Sequence, residues 1–143
     1  MSVVFDSLVA SVVPKLDAIL KARPEPCASG VTVANKVLPV KDRRSGFKDR
    51  MVAVFQGPGA GDYDTLDDTT LRVRVICKGE FDAEDLAHLV KALFEDAWGR
   101  GLVDGDPIVR CKVSAGPVEV VAAAEGFEWY MVANVTRRGT DFR

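Results

Sequence analysis

The chain has 143 residues, a length that suits one domain with its own core, and its 48% hydrophobic and 28% charged content is ordinary globular usage. That balance excludes wholesale disorder and a membrane-embedded chain. Lys and Arg number 19 against 21 Asp and Glu, a formal charge of −2, which argues against a general nucleic-acid binder held by a basic surface and leaves room only for local charge patches.

The opening Met1-Ser2-Val3-Val4-Phe5-Asp6 carries no basic region, and Pro14 and Lys15 interrupt the apolar stretch after it, so neither a secretory signal nor a spanning helix is expected. Phe5, Leu8, Val9, Val12, Val13, Leu16, Ile19 and Leu20 recur at helical spacing and predict an amphipathic helix over about residues 3–22. Pro14 removes a backbone donor inside it and predicts a kink or a restart there; Pro24 and Pro26 end it. From Cys27 to Arg50 the pattern supports one short strand, and the mixed charges of Lys41 to Arg50 read as a solvated connector.

Met51 to Gln56 is a β-branched run stopped by Gly57-Pro58-Gly59. Leu71 to Lys78 alternates Leu71, Val73, Val75 and Cys77 with Arg72, Arg74 and Lys78, broken only by Ile76. The two read as antiparallel partners whose apolar face meets the core. Between them lies a long hairpin loop, about residues 57–70, rich in Gly and Asp.

A second helix is predicted from Asp82 as cap to Trp98, with Phe81 stapled on Leu86 and a stripe of Leu86, Leu89, Val90, Leu93, Phe94 and Ala97. Two further strands come after it, Pro107 to Ser114 and Phe127 to Arg137; Val118 to Ala124 could extend the first through a bulge. The order predicts a single α+β domain over residues 1–143, a mainly antiparallel sheet with helices packed on one face.

Chemistry-bearing patterns are sparse. Gly57-Pro58-Gly59-Ala60-Gly61 lacks the closing Gly-Lys-Ser/Thr of a phosphate loop and is followed by a strand, where a dinucleotide fingerprint needs a helix. Asp62, Asp64, Asp67 and Asp68 miss the calcium-loop register: starting from Asp62, the sixth-position glycine and the twelfth-position glutamate are both absent. His88 is the one histidine, on the polar side of the second helix beside Glu84 and Lys91, and no Gly-x-Ser-x-Gly elbow accompanies it. Cys27, Cys77 and Cys111 are widely separated, without a C-x-x-C pair, and read as reduced core residues. Phe127-Glu128-Trp129-Tyr130 lacks an RNA-recognition signature and reads as core plus a subunit contact. No catalytic, metal or cofactor residue is assigned.

The strand Leu71-Arg72-Val73-Arg74-Val75, the helix Asp82 to Trp98, the Gly116-Pro117 step and a last strand ending in Arg137-Arg138 together resemble the tail terminator, or tail completion, proteins of long-tailed bacteriophages. The resemblance covers about Met51 to the C-terminus, with the first helix in the corresponding place; residues 27–50 do not align. It implies a non-enzymatic virion protein assembled in the host cytoplasm. Such a subunit forms a homohexameric ring on the tail tube, stops tube growth and meets a head–tail connector or neck protein, with DNA only as cargo through the ring. An alternative within the same machinery is another neck or head–tail joining protein; a separate class is a small-molecule or nucleic-acid binding module, and an enzyme comes third. In a ring, the acidic loop would reach a neighbouring subunit or the tube: Asp62, Tyr63, Asp64, Asp67 and Asp68 would face basic side chains, with Arg72, Arg74 and Arg137 of a neighbour as candidates.

Overall fold

The computed structural model describes residues 2–4, 7–35, 50–57, 61–62, 66–98, 108–120, 126–138 and 140–142. In chain order these form β1 (Ser2–Val4), α1 (Leu8–Lys21), a short 3-10 turn (Pro26–Ala28), β2 (Thr32–Ala34), β3 (Arg50–Gln56), β4 (Gly61–Asp62) and β5 (Leu66–Cys77). After them come α2 (Glu80–Leu93), a π-helical turn (Phe94–Trp98), β6 (Ile108–Val120), β7 (Phe127–Arg138) and β8 (Thr140–Phe142). The main sheet has the order β2-β3-β5-β7-β6, with β4 added beside β5; β2 and β3 run parallel and every other pair is antiparallel. This is the α+β domain read from the sequence.

The first helix begins later than residue 3. Residues 2–4 pair instead with β8, and Ser7 starts the helix by accepting the Ala10 N–H on its Oγ at 3.2 Å. Leu8, Val12, Leu16 and Leu20, four residues apart, then line one buried stripe. The expected interruption at Pro14 does not divide the helix, which runs through to Lys21. Pro14 lies on the exposed side, and Ala10, whose carbonyl would have received the missing bond, is exposed too, so water can take that place.

The loop of residues 57–70 is much shorter than its composition suggests, because β5 already starts at Leu66. Leu66 to Thr70 pair with Arg138 to Asn134, and β4 folds back with Gly61 opposite Asp68 and Asp62 opposite Asp67. Polar residues on both faces hid this strand, yet the ladder satisfies its backbone. Thr136 also donates to Asp68 at 2.6 Å, and the Gly57 N–H donates to the Thr70 carbonyl at 2.7 Å.

Alternation along the strands divides most of the sheet, although Met51 and Ala53 of β3 and Ile76 of β5 are buried on the face away from the helices. Val52 and Val54, Leu71, Val73, Val75 and Cys77, Met131, Ala133 and Val135, and Ile108, Cys111 and Val113 share the face on which both helices pack, in one continuous core. α2 adds Ala83, Leu86, Ala87, Val90 and Leu93, and the π-helical turn adds Phe94 and Trp98, whose ring centroids are 5.3 Å apart.

The start of α2 also differs from expectation. Its cap is Gly79, which has no side chain to offer, and Asp82 lies inside the first turn. There its carboxylate takes the Arg50 guanidinium at 2.8 Å, while a second nitrogen of Arg50 donates to the Ser29 carbonyl at 2.9 Å. An acid in the first turn is still favoured by the helix dipole, so Asp82 stabilises the helix end and ties it to β3 at once. Phe81 is 74% exposed and does not staple onto Leu86.

β6 is the extended strand that a bulge was expected to allow, with register shifts between Ile108 and Arg110, Val113 and Ala115, and Ala115 and Val118. Gly116 sits at the last of these with φ +87°, and a Cβ there would lie 2.5 Å from the Tyr130 carbonyl oxygen, so only glycine allows this approach of β6 to β7.

Leu86 is fully buried and Phe81, five residues earlier, is not. Leu86→Ala should therefore cost about 2 to 5 kcal/mol in urea unfolding, whereas Phe81→Ala should change stability by less than about 0.5 kcal/mol.

Candidate functional site

The face of the sheet turned away from the helices is built from cross-strand rows. One row holds Asp68, Thr136 and Arg110; the next holds Thr70, Asn134 and Lys112; Phe55, Arg72 and Val132 form a further row, and Ala53, Arg74 and Tyr130 another. A cleft of about 370 Å³ crosses the first two rows, lined mainly by Asp68, Thr70, Arg110, Lys112, Asn134 and Thr136. Its hydroxyls, amide and cations surround the Asp68 carboxylate, which accepts from the Thr136 hydroxyl at 2.6 Å, and together they can hold a polar or anionic partner.

The residues singled out from sequence fall in different places. Tyr63 and Asp64 lie outside the described residues. Asp62 is in β4, in register with Asp67, and Asp67 is in turn opposite Arg137. Arg137 is on the helix-packed face and only 8% exposed, while Asp68 is on the opposite face with Thr136. Arg74 is already engaged within its own chain: its Nη2 and Nε donate to the two carboxylate oxygens of Glu128 at 2.6 and 3.2 Å. Of the three arginines proposed to meet a neighbour, Arg72 alone is exposed.

Residues passed over in the sequence complete the surface. Arg110 and Lys112 are exposed and alternate with the buried Cys111 and Val113, so their shared face was readable from period two. Their position beside Asp68 and Thr136 was not, because it depends on the β6–β7 register. Glu128, buried beneath Arg74, gave no sequence signal beyond its place in a strand.

Tyr130 and Trp129 project to opposite faces, both half-buried, and the exposed His88 ring lies 5.9 Å from Trp129. Cys27, Cys77 and Cys111 are buried and unbridged. Burial pushes the Cys77 and Cys111 thiols from their ordinary 9.0 up to about 12, and raises Cys27 for the same reason. Among the described residues no group of three or more His, Cys, Asp and Glu is placed to hold a metal ion, and no helix is long and apolar enough to cross a membrane.

Neither a family model nor a curated protein matches this chain. A solved structure does: it aligns over 94% of this chain and 94% of its own, with a TM-score of 0.52 and 19% identical residues. The likeness is one of fold.

Two measurements check this geometry. Arg74→Ala leaves the buried Glu128 carboxylate without its partner and should cost about 1 to 2 kcal/mol by denaturant unfolding, while Arg72→Ala should cost less than about 0.5 kcal/mol. The native protein should resist alkylation by iodoacetamide at pH 8 and take up the reagent at all three cysteines once unfolded. Because the folded thiols titrate above their unfolded value of 9.0, their stabilising contribution is complete below that pH and is lost as pH rises towards about 12.

Proposed function

We propose that this chain is a structural subunit of a phage virion that forms a ring on the end of the tail tube, ends tube growth and offers the surface for head attachment. The observation that carries this reading is the β6 edge. β6 is thirteen residues long and, among the described residues, is paired only with β7, so it presents a row of backbone donors and acceptors to another chain. The three register shifts, Pro117 and the exposed Arg110 and Lys112 restrict which chain can pair there, so the edge suits a specific partner over any chance strand. Exposed Val118, at 53%, and the half-buried Tyr130 lie in register beside it and add apolar area to a contact.

The resemblance to tail terminator proteins supplies the form of the assembly, a six-membered ring, and its partners: further copies of this chain, the tail tube protein and a head–tail connector. The role requires no cofactor and no chemistry, and it places the protein at the neck end of the virion tail after assembly in the host cytoplasm. The polar cleft supports a binding surface, since it offers charges and hydrogen-bonding groups on an open sheet face.

The reading is tested by adding the purified protein to growing tail tubes and measuring tube lengths and end structures by negative-stain imaging, with native mass spectrometry of the protein alone and bound. Tubes of limited length carrying a ring of this chain are expected. Tubes that elongate unchanged, or a strict monomer that binds DNA at physiological salt, would replace this reading with a binding module.

A further inference from the structure

We infer that the β6 edge is a strand-addition site for an extended, acidic segment of a partner protein, whose carboxylates sit beside Arg110 and Lys112. This inference rests on the reading of β6 as an assembly edge and names the chemistry that the edge selects.

The part of the edge open to regular pairing is short. Register shifts fall between Ile108 and Arg110 and again between Val113 and Ala115, so Arg110 to Val113 keep an unbroken ladder with β7. Further along, Pro117 has no N–H to donate. A strand that continues the ladder therefore pairs along Arg110 to Val113, and its backbone bonds give affinity without regard to sequence.

Side chains supply the selection. Arg110 and Lys112 are exposed, alternate with the buried Cys111 and Val113, and have no ion pair among the described residues. Residues two apart on a strand are separated by about 7 Å, so acids at alternate positions of the added strand can face both cations at once. The residues between those acids would lie beside Cys111 and Val113, on the face where the π-helical turn packs, and apolar side chains suit that place.

Asp68 does not remove the preference. It stands two strands from β6, about 10 Å by strand spacing, and accepts from Thr136, whereas an added strand lies one spacing of about 5 Å away on the open side. Like charges directly opposite each other destabilise a strand pair, so the edge rejects a basic strand, and the Arg110 and Lys112 of a second β6 brought against it in register would be rejected for the same reason. An acidic strand is the occupant left.

The test uses the full chain with short blocked peptides that alternate Asp with Val or Lys with Val, and a backbone N-methylated form of the acidic peptide. The Asp–Val peptide should bind, lose affinity as salt rises and slow amide exchange across residues 110–113. Its N-methylated form, equal in charge but unable to pair as a strand, should bind about tenfold more weakly or worse. Arg110→Glu with Lys112→Glu should invert the preference, favouring the Lys–Val peptide by about tenfold or more, with unchanged circular dichroism. Arg110→Gln with Lys112→Gln should bind both peptides alike. Equal binding of the acidic and basic peptides by the unaltered chain, no binding at low salt, or binding that leaves exchange at 110–113 unchanged would overturn the docking. Tubes still capped by the same protein would then keep the ring reading, whereas uncapped tubes beside a protein that takes the acidic strand would remove the ring and leave the edge assigned.

Discussion

The pairing of β5 with β7 is the constraint on which the rest of the molecule depends. All twelve residues of β5 are in register with β7 without a shift, from Leu66 opposite Arg138 to Cys77 opposite Phe127. A one-residue slip would turn either Leu71, Val73 and Val75 of β5 or Met131, Ala133 and Val135 of β7 away from the helices. The same slip would part Asp68 from Thr136 and Arg74 from Glu128, so apolar and polar pairings specify the same register.

That register makes one sheet with two kinds of surface. The helix-packed face is a closed apolar core to which α1 contributes leucines and a valine, and α2 leucines, alanines and a valine. The other face carries basic and hydroxyl side chains that are only partly neutralised, with Glu128 and Asp68 supplying the local counter-charges. Since β7 lies between β5 and β6, Asp68 and the cations Arg110 and Lys112 face one another across Thr136 and Asn134 in a single cleft.

Arg50 shows how local and distant constraints combine. It opens β3, yet its guanidinium joins the Asp82 carboxylate of α2 and the Ser29 carbonyl next to the 3-10 turn. Three pieces of chain distant in sequence are thereby fixed at one end of the core. The partly buried guanidinium makes these charge-assisted bonds stronger than they would be on an open surface.

The sequence by itself determined the apolar stripes of both helices, the alternation of Leu71, Val73, Val75 and Cys77, the buried cysteines and the α+β class, because burial periods of 3.6 and 2 are local properties of the chain. It also showed that the long stretch after Gly57 is acidic. Only the tertiary structure decided that Leu66 to Thr70 are strand, since polar residues there become ordered through a partner some seventy positions away. It likewise decided that Asp82 pairs with Arg50 instead of capping, and that Arg74 is paired with Glu128 and Arg137 buried while Arg110 and Lys112 are exposed. Each of these depends on strand register and on which charges meet across the sheet, and long-range pairing of that kind leaves no periodic trace along the chain.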